Sequence, residues 1–289
     1  MNYLWHMLIF ISLYSLLSMS LNLVVGYAGL LSLCHAAFYG LGAYSTALLM
    51  TRSGWGFFPA LLAAMVITAL LSSIIAVPSL RLRGDFFVLA TLGFQVIVFS
   101  LLYNWDNFTN GSYGITGIAN PVLFGWSVDT PFRYFLLAGT ISVVGLGLMR
   151  ALALSPFGRV LKAIRENEVA AVALGKNVAL LKIVVFAVAA AFAAVSGGIF
   201  AAYTQYIDPT SFMLSEALFI LSIVIIGGAG NQVGPLIGTV LLVTLPEMLR
   251  FLRMPDAIAS SLRQVIYGAA IVLLMRFRPQ GIQGDYKFD

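Results

Sequence analysis

Six polar side chains interrupt otherwise apolar runs in this sequence: Asn22, His35, Gln95, Glu216, Glu247 and Arg263. Their spacing does not suit catalysis. No set of His, Cys or carboxylates has metal-ligand spacing, and no nucleophile, base and orienting group stand together. The stretch Gly227 to Gly234 lacks the lysine with which a phosphate-binding loop holds its nucleotide. No cofactor, metal or enzymatic activity is therefore expected. A polar group in lipid is costly, so each of the six should face protein or a water-filled route. Asn22, His35 and Gln95 are candidates to line a path, although a lone histidine in an apolar stretch is more often a hydrogen-bonded packing residue. Glu216, Glu247 and Arg263 fall near the ends of apolar runs, where snorkelling or ion pairing is the plainer account.

Two glycine clusters also break the apolar pattern, Val24-Val25-Gly26-Tyr27-Ala28-Gly29 and Ile225-Ile226-Gly227-Gly228-Ala229-Gly230, and they echo one another. Paired breaks of this kind point to discontinuous helices whose freed backbone groups line a cavity. Gly26, Tyr27, Gly29, Gly227 and Gly228 therefore join the path candidates. Close helix contact or an ordinary turn would explain the glycines equally well.

The elements that carry these residues follow from composition. Of 289 residues, 61% are hydrophobic and 9% charged, far from the balance of a water-soluble domain. Runs of spanning length lie near 4–25, 33–50, 57–77, 86–103, 132–150, 181–203, 211–226, 234–250 and 257–275. They are too long and too uniformly apolar for barrel strands, so the expected fold is an all-α polytopic membrane protein of about nine spans (eight to ten), one domain over residues 1–289. The first run is expected to be a retained span and not a cleaved leader. Cys34 is expected to be a small packing residue.

The net charge of +5 is scattered beside spans, which argues for membrane orientation and against nucleic acid. Arg81 and Arg83, the group Arg150, Arg159, Lys162, Arg165, Lys176 and Lys182, and the tail residues Arg276, Arg278 and Lys287 all fall on one side, which the positive-inside rule makes cytoplasmic together with the C-terminus. Arg52, Arg133, Arg250 and Arg253 run against that bias. Residues 104–131, rich in Asn, Gly and aromatics, are expected to form an outer loop with turns. Its Asn107-Phe108-Thr109 and Asn110-Gly111-Ser112 triplets match glycosylation acceptors, a pattern common by chance.

The most charged long break runs from Ser155 to Val178 within a loop of residues 151–180. Ser155 before Pro156 suits a helix start, Val160, Leu161 and Ile164 recur at helical spacing, and Gly175 suits a stop, so one short amphipathic helix is expected there. In this loop the sequence resembles the permease subunits of ATP-binding-cassette importers, and in particular the branched-chain amino-acid family. Glu168 followed by Ala170-Ala171-Val172-Ala173-Leu174-Gly175 is similar to the motif such permeases present to their ATPases, with Val169 inserted after the glutamate. Gly158-Arg159 and Ala163-Ile164-Arg165-Glu166-Asn167-Glu168 strengthen the likeness. So do Gly26-Tyr27-Ala28-Gly29-Leu30-Leu31-Ser32-Leu33 leading to His35, Arg81-Leu82-Arg83-Gly84-Asp85, and Gly227 through Pro235. Cys34 departs from the small residue, commonly glycine, of that family.

The resemblance implies an importer permease fold with broken helices in a bacterial inner membrane, carrying leucine, isoleucine, valine or related small amino acids and amides. It implies a second permease subunit in a heterodimer, two cytoplasmic ATP-binding subunits and a periplasmic or extracellular substrate-binding protein as partners. The ATPase-coupling residues would be Gly158, Arg159, Ala163, Arg165, Glu166, Asn167, Glu168, Ala170, Ala171 and Gly175. An ion-coupled secondary transporter or a channel explains the spans as well but the cytoplasmic loop less well. An intramembrane enzyme would need clustered reactive groups.

Overall fold

A chain in lipid must satisfy its backbone polar groups internally, and the apolar runs do so as helices. The computed structural model describes residues 2–79, 82, 84–123, 126–251, 265, 268, 269, 272, 276 and 280–284. In chain order the helices are α1 (Asn2–Asn22) with a π-helical turn (Leu23–Tyr27), α2 (His35–Thr51), α3 (Phe57–Ser79), α4 (Asp85–Asn104) and the single turn α5 (Asp106–Thr109). They continue as α6 (Pro131–Leu154), α7 (Pro156–Glu166), α8 (Glu168–Ala173), α9 (Val178–Thr204), α10 (Leu214–Gly227) and α11 (Gly234–Phe251). Local chemistry sets several ends. Thr130 accepts the Arg133 amide at the start of α6, with Pro131 in its first turn, and Asn177 accepts the Leu180 amide at the start of α9.

Among the described residues six segments are long and apolar enough to cross a bilayer: Tyr3–Tyr27, Phe57–Ile74, Asp85–Asn104, Pro131–Leu154, Val178–Thr204 and Pro209–Gly227. This makes the chain a multi-pass membrane protein. The expected runs at 33–50 and 234–250 are also helices, but shorter. The 17 residues of α2 reach about 25 Å, less than the hydrocarbon thickness of about 30 Å. Each is entered from an irregular stretch, residues 28–34 before α2 and 228–233 before α11. The expected run at 257–275, with Arg263 in it, lies outside the described residues apart from isolated positions, as do Arg81, Arg83, Arg253, Arg278, Lys287 and the side chains of Glu247 and Arg250.

The core forms around α1, whose Ile9, Leu13, Leu16, Leu17 and Leu21 are buried among α6, α9, α10 and α11. Beside it α2, α3 and α9 pack against one another. Small residues set that spacing: a Cβ on Gly42 would strike the backbone of Ala194, and one on Gly197 the carbonyl of Tyr39. The outer surface stays apolar, with Leu62, Leu70 and Ile74 of α3, Leu89 and Ile97 of α4 and Val143 and Leu148 of α6 exposed. Such faces suit lipid, not water.

The bundle has two distinct ends. At one, Trp5 packs on Phe132 at 4.9 Å, His6 Nδ1 meets the Tyr203 hydroxyl at 2.6 Å, and Tyr134 donates to the Ala202 carbonyl at 2.9 Å. Residues 105–123 and 126–130 lie there and contain more than turns. Their β1 (Ile115–Thr116) pairs antiparallel with β4 (Tyr206–Ile207), and β2 (Val122–Leu123) pairs with β3 (Trp126–Ser127). The other end carries α7, α8 and both glycine breaks, so Arg150, Arg159, Lys162, Arg165, Lys176 and Lys182 gather opposite Arg52 and Arg133, as the charge pattern requires.

This arrangement is checkable by labelling. In a Cys34→Ser background, Ser112→Cys and Lys176→Cys occupy exposed positions at opposite ends. An impermeant maleimide added to sealed cells should reach Ser112→Cys alone. Labelling of both from outside contradicts the fold.

Candidate functional site

The two glycine breaks meet at one end of the bundle. After Asn22 the helix widens into the π turn, where Ala28 N–H bonds the Leu23 carbonyl at 3.2 Å and Leu30 N–H the Val24 carbonyl at 3.1 Å. Wide turns of this kind recur at functional positions in helices. The second break begins at Gly228, whose φ of +111° is open to glycine and strained for other residues. Gly26 faces Gly230 so closely that a Cβ on Gly26 would collide with the Gly230 backbone and with the Asn22 amide oxygen. Asn22 joins the breaks directly. Its Oδ1 accepts the Gly230 N–H at 2.9 Å and its Nδ2 donates to the Asn231 carbonyl at 2.7 Å. Gly227 lies against the Gly234 carbonyl, and Gly228 against Gln283 and Gly284. There the amides of Ile282 and Gln283 donate to the carbonyls of Ile226 and Gly227, 3.0 Å each, capping α10.

The remaining path candidates are buried and bonded within the chain. His35 Nε2 lies 2.7 Å from the Ser20 hydroxyl, linking α2 to α1. Gln95 Oε1 accepts the Ala37 amide and its Nε2 donates to the Phe212 carbonyl, 2.7 Å each, so one side chain ties α4, α2 and the entry to α10. Glu216, half-buried in the first turn of α10, accepts the Tyr14 hydroxyl at 2.6 Å and does not snorkel freely. Tyr27 is buried beneath the Lys162 ammonium, which lies 5.0 Å from its ring centroid.

The loop forms two helices where one was expected. Asn167 leaves helical geometry at φ −155° and its Oδ1 accepts the Ala170 amide at 3.0 Å, so it ends α7 and caps α8. Gly175, at φ +75°, then stops α8 as its type suggests. Gly158 packs on the Ala153 carbonyl, where a side chain would not fit, and Leu161, Ile164 and Ala171 are buried against the chain's own membrane helices. Arg165 also turns inward. Its Nη1 donates to the Gly26 carbonyl at 2.5 Å and its stem covers Gly29. Glu168 pairs with Lys182 at 2.9 Å. Arg159, Ala163, Glu166, Asn167, Ala170 and Gly175 remain exposed. The apolar face of α7 is thus already occupied, while Val169, Val172 and Leu174 of α8 and its C-terminal turn are exposed.

Sequence reasoning missed the partners: Ser20 for His35, Tyr14 for Glu216, Asn231 for Asn22, and the 280–284 segment that caps α10. Gly281 and Gly284 are the one visible signal for that last contact, since both stand where a side chain would strike the Gly228 region. Replacing the bridging amide tests how the breaks are held. Asn22→Leu leaves the buried Gly230 N–H unpaired, at a cost of about 1–3 kcal/mol, and the part-buried Asn231 carbonyl without its donor, and should lower the thermal midpoint of the purified protein in detergent. An unchanged midpoint contradicts the clamp.

Comparison with known proteins adds the lineage. The profile of the family described as branched-chain amino acid transport system / permease component matches residues 3–275. The chain is 36% identical to the high-affinity branched-chain amino acid transport system permease protein LivM of Salmonella typhimurium over 93% of its own length and 67% of that protein's. It is 24% identical to a probable LivM of Methanocaldococcus jannaschii, covering 95% of this chain and 91% of that one. It is likewise 24% identical to LivH of Escherichia coli, covering 94% and 92%. No solved structure matches it. With its broken helices, docked loop and a profile match over residues 3–275, the chain belongs to the branched-chain amino acid transport permease family.

Proposed function

We propose that this chain is one permease subunit of an ATP-binding-cassette importer, forming part of the path for leucine, isoleucine, valine or related small amino acids and amides. The relatives bear that name as transport-system permeases, and separate subunits supply ATP hydrolysis. A second permease of the same family completes the path, two ATPases bind the loop-bearing end, and a soluble binding protein delivers substrate to the other. About nine crossings (eight to ten) of the inner membrane would put residues 151–180 and the C-terminus in the cytoplasm and residues 104–131 outside, following the positive-inside rule.

The observation that carries this reading is the exposure of Val169, Val172 and Leu174 on α8 and its end, at the end of the molecule where Arg and Lys gather. Apolar side chains clustered at a water-facing end mark a protein contact. The anchored α7 beneath them gives that contact a rigid base. Asn22, Tyr27, His35 and Gln95, with the four glycines of the breaks, belong in this reading to the frame of the path.

Val172→Asp with Leu174→Asp tests the contact. The variant should insert at wild-type levels while recovery of the ATPase subunit with the purified permease falls about tenfold or more, the scale of losing an interface hot spot. Full recovery of the ATPase at matched expression excludes this surface as its docking site.

A further inference from the structure

The loop is fastened to the membrane helices by a charged side chain as well as by apolar ones. Arg165 lies on the last turn of α7, and 7% of its side chain is exposed. Its Nη1 donates to the carbonyl of Gly26, inside the π turn. Its methylene stem lies over Gly29, where φ is +69° and a Cβ would come within 2.6 Å of the arginine Cγ. From the other side, Nε and Nη2 donate to Oε1 of Glu166 at 3.0 Å and 2.5 Å. The Glu166 side chain is 67% exposed. One planar guanidinium thus runs from a surface carboxylate to a backbone carbonyl of the broken helix, a double engagement that a lysine ammonium does not reproduce. Gly26 in turn packs on Gly230, and Asn22 bonds the same residue. The contacts therefore continue from Glu166 through Arg165 to both breaks.

We propose that Arg165 is the positioning residue through which the loop holds or releases the two breaks, and that Glu166 is the handle by which a docked partner acts on it. The proposal rests on the importer reading for the identity of that partner. A basic or N–H-bearing group of the ATPase that captures the Glu166 carboxylate removes the counter-charge that aims the guanidinium at Gly26. The Gly26 carbonyl then loses its donor, and the close fit of Gly26 against Gly230 becomes free to shift. A merely static cap on the end of α1 would use the same bonds but would not respond to a partner.

Cys34, buried just beyond the first break, is a native reporter. The test is the rate at which N-ethylmaleimide modifies Cys34 in membranes, read by mass on this chain. Arg165→Met keeps the stem and removes the donors, and should speed labelling about tenfold, the scale of losing a charge-assisted hydrogen bond to a buried carbonyl. Lys176→Met, which removes an exposed cation of the same loop, should leave the rate near wild type. Glu166→Gln alters only an exposed side chain, so it serves where Arg165→Met fails to insert, and it should raise the rate by a smaller factor. Adding the ATPase subunit with a non-hydrolysable ATP analogue should change the wild-type rate severalfold and the Glu166→Gln rate far less.

Equal rates in wild type, Arg165→Met and Glu166→Gln overturn the proposal, and so does a wild-type rate indifferent to a bound ATPase subunit. If the ATPase subunit does not bind at all, the importer reading is what fails, while the variant rates still decide whether Arg165 holds the breaks.

Discussion

Two helices that stop inside a packed bundle leave N–H and C=O groups that must be paired within the protein. The arrangement of this molecule follows from how those groups are paired. The two breaks are packed against each other, so that Asn22 serves an amide and a carbonyl of the second break with one side chain. The 280–284 segment supplies two amides to the open end of α10, and Arg165 supplies a donor to the π turn. Glycine is required at the contact itself, since a side chain on Gly26, Gly227 or Gly228 would enter space held by backbone.

That solution makes the region responsive. Each partner comes from a different part of the chain, so a displacement of the loop, of the 280–284 segment or of either break alters hydrogen bonds in the others. The long helices behave differently. The α2–α9 contact, closed by Gly42 and Gly197, is packed backbone against backbone and resists small shifts. The polar joints between irregular segments thus lie next to the loop, and the α2–α9 contact is closed backbone to backbone.

Much of the fold was legible in the sequence because span length and apolar composition are local properties. Phe57–Ile74, Pro131–Leu154 and Val178–Thr204 announce themselves. Gly175 and the Ser155-Pro156 pair marked the limits of the loop for equally local reasons. What stayed hidden depends on partners distant in sequence. Asn22, His35 and Gln95 read as path candidates because they are polar in apolar runs, yet their bonds to Asn231, Ser20 and Phe212 are tertiary facts. The division of the loop at Asn167 was masked by helix-favouring neighbours, although an asparagine three residues before Ala170 is a cap signal. Arg165 looked like a surface charge, since sequence spacing does not reveal a carbonyl waiting beneath it.

If force applied at the loop reaches the paired breaks through the Arg165 contact, substrate taken up per ATP hydrolysed registers it. The system is the complete complex in proteoliposomes, with its binding protein and radiolabelled leucine. Gly29→Ala places a methyl group against the arginine stem and disfavours the φ of +69° at that residue, so it disturbs the contact without touching the docking surface. ATP hydrolysis should then continue while uptake per ATP collapses. A wild-type ratio in Gly29→Ala, or leucine uptake by this chain without any ATPase and driven by an ion gradient alone, would contradict it.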